Sequence, residues 1–371
     1  VPRFDRYMLS QLTILFGFFG LVLVSLYWLN QAVKLFERLI GDGQSAQVFL
    51  EFTALTLPDI IGRVLPLAAF AGTVQVMNRM SNESELVVMQ ATGLSPWRMA
   101  RPVLVFGLGV AVLASVLSHG LVPASQAQLA ERRAEIARDV TSQVLSEGRF
   151  LHPAPGVTVY IREITPASEL QDIFLSDARE EGRQVTYTAK RALLVDSATG
   201  PKLVMFDGMA QSLSDENGRL STARFADFTY DIGALVDSGT TGRTRLTTLP
   251  TLALLSPSPA RLEAARATRA EALQEGHERF AGPLLAVAGA LVGYGALLLG
   301  GFSRFGAGRQ MVLGVVLLIA IHLLNNSASD IARRDAALWP VTYLAPLAGM
   351  AMGTVLIAMS GRRRRLRGAM T

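Results

Sequence analysis

The chain has 371 residues, of which 50% are hydrophobic and only 18% charged, and its mean hydropathy is positive; that apolar surplus excludes an ordinary soluble domain and places much of the surface against lipid. Cysteine is absent, which excludes a disulfide framework, a thiolate nucleophile and a cysteine-held metal site. The formal net charge of +5 comes largely from the run Arg362, Arg363, Arg364, Arg365 and Arg367 just after an apolar stretch, which points to a membrane surface rather than to nucleic acid.

Crossing the hydrocarbon core takes roughly 20 mostly apolar residues, and the first stretch, 7–33, meets that length. It is too long for the apolar region of a signal peptide and no A-x-A pattern follows it, so it is expected to remain as a span. Lys34 and Arg38 lie just beyond its outer end. The second stretch, 52–78, is interrupted by Asp59 and Arg63, which stand four apart and can pair on one helix face. The loop after it reads Asn78-Arg79-Met80-Ser81-Asn82-Glu83-Ser84-Glu85-Leu86-Val87-Val88-Met89-Gln90-Ala91-Thr92-Gly93-Leu94-Ser95-Pro96. Ser81 or Asn82 is expected to cap a short amphipathic helix of about 81–94, with Glu83 and Glu85 at the positive end of its dipole. Leu86, Met89 and Gln90 follow at helical spacing, Gly93 ends the helix, and Pro96 starts the next element.

A third span occupies 102–130, apolar only to about Val122, and a charged helical extension follows over 125–140. Period-two alternation then predicts strands: Val157, Val159 and Ile161 alternate with Thr158, Tyr160 and Arg162, and further runs cover 172–176, 184–195, 202–213 and 221–232. Turn signals at 197–200 and 215–218 separate the later runs, and this spacing suits a sandwich or jelly-roll-like sheet. Phe228, Tyr230 and Ile232 complete the regular apolar sets, which serve equally as sheet core or as a lining for acyl chains. A second charged helical stretch at 259–279 leads into spans at 280–303, 310–329 and 336–361.

The fold class is therefore a polytopic α-helical membrane protein with six transmembrane helices, three and three, around an inserted β domain. Its regions are 1–124, 125–278 and 279–371. Short-loop arginines Arg3, Arg6, Arg79, Arg98, Arg101, Arg304 and Arg309 share one side with the C-terminal arginines, which makes that side cytoplasmic and the β domain exported.

Catalytic signatures are missing: the sequence holds no G-x-x-x-x-G-K-[ST] loop, no H-E-x-x-H and no G-x-S-x-G, and His119, His152, His277 and His322 lack metal-ligand spacing. His322 lies inside the fifth span, close to Asn325 and Asn326, where polar groups serve either interhelical hydrogen bonding or a substrate or proton path.

The run Glu83-Ser84-Glu85 followed by Val88-Met89-Gln90-Ala91-Thr92-Gly93-Leu94-Ser95 resembles the signature of the LptF/LptG family of lipopolysaccharide export permeases, and the three-span, β-domain, three-span order is similar along the whole chain. The lead-in Gly148-Arg149-Phe150 and the start Arg3 to Leu9 resemble the LptF branch. The resemblance implies a periplasmic β-jellyroll and an inner-membrane location. It implies a heterodimer with an LptG-like sibling permease, a cytoplasmic LptB-like ATPase dimer and a periplasmic LptC/LptA-like jellyroll bridge protein. It also implies no cofactor in this chain, since ATP belongs to the partner, and no nucleic acid. Glu85 is carried over as the acidic contact with the ATPase, with Glu83 its companion and Leu86, Met89 and Gly93 shaping the coupling helix. For the phosphates of the lipid headgroup, the cations near the outer rim are Lys34, Arg38 and Arg63. Lys34 and Arg38 serve equally as interfacial anchors, and Arg63 as the partner of Asp59. A permease of another lipid or lipoprotein exporter, or a non-transporting membrane-anchored scaffold, are the competing readings.

Overall fold

The computed structural model describes residues 3–41, 46–143, 148–154, 156–165, 169–180, 183–197, 200–214, 219–231, 246–299 and 308–368. The chain divides into two compact units, a helical one of Val1–Leu129 with Gly242–Thr371, and a β unit of Ala130–Thr241.

In chain order the helical unit begins with α1 (Arg3–Gly41), α2 (Ala46–Asn82), α3 (Glu85–Ala91) and α4 (Pro96–Val116). A π-helical turn at Leu117–Leu121 carries α4 into α5 (Val122–Gln143). After the β unit come α6 (Thr251–Leu255), α7 (Pro259–Ala265), α8 (Arg269–Leu298) and α9 (Gly308–Ala332). A 3₁₀ turn at Ala336–Tyr343, with Pro340 inside it, leads into α10 (Leu344–Gly368). Among the described residues six helices are long and apolar enough to cross a membrane. Each coincides with one of the expected spans, although 300–303 of the fourth lie outside the described residues and the sixth begins in the 3₁₀ turn, and helix is what lipid demands where it offers backbone groups no partner.

Helix α8 is the hub. It is rich in Ala and Gly from Ala281 to Ala296 and nearly all of that run is buried. Small residues matter because lipid tails are as apolar as leucine, so helices in a bilayer associate through close packing. Gly353 of α10 shows how close: a Cβ there would stand 2.7 Å from the Leu291 Cβ. The same cluster takes in Met8 and Leu12 of α1, Met77 and Met80 of α2, and Val103 and Phe106 of α4.

The charged stretch 259–279, expected as one helix, is broken. Arg266 adopts a left-handed conformation (φ 47°) after α7. Thr268 then opens α8 with a capping box: its hydroxyl accepts from the Glu271 N–H at 3.2 Å while the Glu271 carboxylate accepts from the Thr268 N–H at 2.8 Å. The Thr-x-x-Glu spacing is a helix start, and composition alone hid it.

The β unit is one antiparallel sheet of six strands in sequential order among the described residues. They are β1 (Phe150–Ala154), β2 (Val157–Ile164), β3 (Glu169–Glu180), β4 (Arg183–Ser197), β5 (Gly200–Ser214) and β6 (Leu220–Asp231). The alternation predicted four of these runs closely; Ile232 lies outside the described residues. Pairing is interrupted along a single line that crosses Arg162, Asp172, Lys190, Asp207 and Ala226, with no change of register on either side. Asp172 and Asp207 have φ of 49° and 53° there. Asp172 pairs with Arg162 along the line, between β3 and β2.

Buried parity changes at this line in β2 to β6; in β3 and β5 a left-handed aspartate sits at the change. Ile161, Ile173, Ala189, Gly208 and Phe225 are paired on one side of it, and Leu170, Ala192, Met205 and Phe228 on the other. Both rows supply one core with Val157, Leu175, Leu203 and Tyr230. Gly208 is required because the Phe225 ring lies over it, where a Cβ would collide with the ring and with the Thr188 carbonyl.

At one end of the sheet the Asp177 carboxylate accepts from Arg179 Nε at 2.9 Å and from the Tyr230 hydroxyl at 2.7 Å. The Arg179 hydrogen bonds, with help from Tyr230, hold Asp177 down to about 2, while burial and the Asp177 acceptor push the Tyr230 phenol up.

Replacing Gly208 with valine should lower the thermal midpoint of the full chain and open the β unit to protease, because the added atoms meet the Thr188 main-chain carbonyl as well as the Phe225 ring; an unchanged digestion pattern would contradict the packing. For Asp177 the folded value lies below the ordinary carboxylate value of about 3.9, so its contribution is complete above that pH and fades as pH falls toward 2. The stability gap between the native chain and Asp177→Asn, measured by denaturant titration, should therefore be full near neutrality and close on acidification.

Candidate functional site

The segment between α2 and α4 gathers most of the sequence-predicted site. Helix α2 runs on through Ser81 and Asn82, so neither caps the short helix. The Glu83 N–H still bonds back to the Arg79 carbonyl at 2.9 Å, and the chain reverses at Ser84, whose φ is 61°. Ser84 is the N-cap, without a side-chain bond, and its carbonyl accepts from the N–H groups of Val87 and Val88 at 3.1 Å. Glu85 is thus the first residue of α3, and Glu83 sits on the turn before it. A left-handed serine leaves no composition signal, which is why the cap was misplaced by two or three residues. The other end matches expectation: Gly93 takes φ 84°, Ser95 caps α4 by accepting from the Arg98 N–H at 3.2 Å, and Pro96 is its first residue.

Leu86 and Met89 point inward. Leu86 is 6% exposed and belongs to the same apolar cluster as Met80 and Met99, with Met89 packed against that cluster. The outward face is formed by Val87, Val88 and Ala91, joined by Trp97 at the start of α4; Val88 is 61% and Trp97 51% exposed. Sequence reasoning placed the inward pair at the site and missed this face, although Val88 and Ala91 stand three apart and therefore share a side.

Polar ties pin the segment from beneath. The Tyr7 hydroxyl of α1 donates to both Glu85 carboxylate oxygens, at 3.1 and 3.3 Å, and accepts from Arg79 Nη2 at 3.2 Å. Arg79 also donates to Gln11 at 3.0 Å and pairs with Glu83 at 3.8 Å. Asp5 takes Arg98 in a two-pronged pair at 2.8 and 3.0 Å, the geometry that makes arginine–carboxylate contacts strong. The Tyr294 hydroxyl of α8, fully buried, donates to the Pro96 carbonyl at 2.7 Å. The result is a short helix with a fixed inner face and an apolar outer one.

The predicted rim cations are not brought together in the same way. Lys34 is exposed on α1, and Arg38 follows it on the same helix. Arg63 pairs with Asp59, as its spacing implied, at 3.2 Å through Nε, and reaches the Tyr27 hydroxyl of α1 at 3.5 Å. In the β unit a cavity of about 410 Å³ is lined by Asp177, Arg179, Arg183, Val185 and Tyr187.

Two polar centres of the helical unit went unread. Glu278 of α8 accepts from Asn325 at 3.3 Å and Ser329 at 3.1 Å, both on α9, and from Gln274 at 3.3 Å. His322 bonds to the carbonyl of Leu318 on its own helix at 3.0 Å, so Asn325 makes the interhelical contact expected of that group. Next to Glu278, the buried Arg279 donates to the carbonyls of Leu249 at 2.8 Å and Thr247 at 3.1 Å and to the Thr251 hydroxyl at 3.2 Å. His119 meets the same threonine at 3.0 Å. Arg279 thereby ties the stretch leading into α8 to the helices. The clue in sequence was an adjacent Glu-Arg pair one residue before an apolar run. Among the described residues no group of acidic and histidine side chains could hold a metal.

Comparison with known proteins adds the context for this site. The sequence model of the lipopolysaccharide export system permease LptF/LptG family matches residues 6–359. The lipopolysaccharide export system permease protein LptF of Escherichia coli K12 is 27% identical over 173 residues, 47% of this chain and 46% of that protein. The corresponding LptG of Haemophilus influenzae is 26% identical over 185 residues, 47% and 49% of the two chains. An uncharacterized protein of Rickettsia prowazekii is 23% identical over 222 residues, 60% and 61%. The matched stretches thus span about half the length of the curated LptF and LptG relatives.

Substituting alanine for Arg279 removes its bonds to the Leu249 and Thr247 carbonyls and to the Thr251 hydroxyl, at a cost of about 2–4 kcal/mol. The expected signs are a lower thermal midpoint in detergent and new cleavage in the stretch 246–251 on limited proteolysis. Native-like resistance there would show that the arginine is not what holds it.

Proposed function

Because the chain belongs to the LptF/LptG family of lipopolysaccharide export system permeases, we propose that it is the membrane subunit through which an ATP-driven transporter extracts lipopolysaccharide from the inner membrane. In this reading the chain performs no chemistry. It pairs with a sibling permease, an ATPase dimer binds their cytoplasmic faces, and the β unit lies in the periplasm and passes lipid toward a jellyroll bridge protein and the outer membrane. Both the start of α1 and the end of α10 face the cytoplasm, as the arginine distribution favours.

The observation that carries the reading is α3. An apolar face of Val87, Val88, Ala91 and Trp97 is presented to the outside at the junction of two spans, beside a carboxylate at Glu85. Such a face fits a groove on a soluble partner, and Glu85 has lone pairs to spare for a partner cation beyond the Tyr7 hydroxyl. Glu83, more exposed on the turn, is the weaker acidic contact. Leu86 and Met89 act from within, as the packing that makes α3 move with its neighbours. Gly93 sets the turn that hands α3 to α4.

Force applied to such a helix has few ways to dissipate. Leu86 fixes it to the core, Tyr294 fixes the following turn to α8, and Asp5–Arg98 fixes the start of α4 to α1. Closure of the nucleotide-bound ATPase then tilts the spans and narrows a cavity between the two permeases. Lys34, Arg38 and Arg63 are the cations we assign to the lipid phosphates at the outer rim; Arg63 does so while sharing its charge with Asp59.

Replacement of Val88 by aspartate tests this directly, since an exposed side chain can change without disturbing the core. Affinity purification in detergent should recover a small ATPase and a second six-span permease with the native chain and lose the ATPase with Val88→Asp and Glu85→Ala. Recovery of the native chain alone, or an ATPase indifferent to both changes, would contradict the reading.

A further inference from the structure

Helix α1 is joined to the rest of the helical unit unevenly. Along most of its length it turns Ile14, Phe18, Leu21, Leu26 and Leu29 outward. At its start, three polar side chains within about two turns each hold a different partner: Asp5 takes Arg98 of α4, Tyr7 takes Glu85 of α3, and Gln11 takes Arg79 of α2. The opposite flank packs along α2 through Phe16, Phe19, Leu23 and Val24 and meets Arg63 at Tyr27, so the polar ties at the start are added to an apolar seam. Tyr7 is the middle tie, and it alone reaches the residue assigned to partner contact.

We propose that Tyr7 is a positioning residue of the coupling site: its hydroxyl locks the Glu85 carboxylate to α1, so that displacement of α3 is delivered to the first span as well as to α2 and α4. The proposal rests on the transporter reading above. The chemistry suits the role. A phenol accepts from one group and donates to another, and Tyr7 does both, taking Arg79 Nη2 at 3.2 Å and giving to Glu85 at 3.1 and 3.3 Å. Because it lies across both carboxylate oxygens it fixes the orientation of Glu85 while leaving outer lone pairs for a partner cation. Arg79, held by Gln11 and facing Glu83, prevents the phenol from swinging away. Without the hydroxyl, α3 stays attached to α2 and α4 through the backbone, but its connection to α1 is reduced to apolar contact.

The test uses the complete complex of this chain, its sibling permease and the ATPase, reconstituted in lipopolysaccharide-containing vesicles. The absence of cysteine allows single thiol labels to be placed cleanly at Leu29 on α1 or at Val112 on α4, both exposed. In the native complex, ATP should change the label mobility at both positions. In Tyr7→Phe the change at Leu29 should fall at least about twofold, what is left passing through Asp5–Arg98 and the seam with α2, while that at Val112 persists, and lipid released per ATP hydrolysed should fall about tenfold, the scale of one hydrogen bond to a charged acceptor. Glu85→Gln, which retains an oxygen for the Tyr7 hydroxyl, should keep the Leu29 response in whatever fraction of complex retains its ATPase. A Leu29 response undiminished in Tyr7→Phe overturns the role of Tyr7 and leaves the transporter reading standing. A native complex in which neither position responds to ATP overturns both.

Discussion

Between helices in a bilayer there is no water to squeeze out, so close approach has to supply the attraction that burial supplies elsewhere. In this protein that demand falls on α8. Its glycines and alanines let α2, α4 and α10 come close enough for their main chains to pack, and Gly353 opposite Leu291 marks the tightest of these approaches. The placement of the segment joining α2 to α4 depends on this arrangement. Helices α2 and α4 are held against one helix, so the short segment joining them is held too, and Tyr294 reaches from α8 to the Pro96 carbonyl at the start of α4. A looser hub would leave α3 as an ordinary surface loop.

The polar groups inside the helical unit obey the companion rule that charge at such depth is kept only with partners. Glu278 has three donors around it, Arg279 has a ring of carbonyls and a hydroxyl, and Asp59 and Arg63 have each other. None of these constellations resembles a catalytic one, where groups with opposed roles would converge on an open space. They join helices. Arg279 does so at the stretch that returns from the β unit, and Glu278 does so between α8 and α9.

Sequence reading succeeded where the physics is local or periodic. Six spans were legible because each needs a long, mostly apolar run, the Asp59–Arg63 pair because four residues make about one helical turn, and the strands because their alternation holds over several residues on either side of the line where it shifts. It failed where a single residue takes an unusual backbone conformation. Ser84 and Arg266 in the left-handed region moved one helix start and split another helix, and Asp172 and Asp207 shift the alternation of their strands at the line where the ladder breaks. It also failed where two faces of one helix had to be told apart: Leu86 and Met89 carry the same amphipathic signal as Val87 and Val88, and only the position of the core decides which pair is inward. The ties from Tyr7 to Glu85 and from Arg279 to the 246–251 stretch join residues tens of positions apart, and no spacing rule announces them.

The central claim is that motion imposed on α3 moves lipid. The most direct measurement is transfer of lipopolysaccharide from vesicles containing the purified complex to an acceptor on the periplasmic side, followed with ATP and with a non-hydrolysable analogue. The account predicts transfer that requires hydrolysis and is abolished by Val88→Asp. Transfer that proceeds equally with the analogue, or that is indifferent to the outward face of α3, would contradict it.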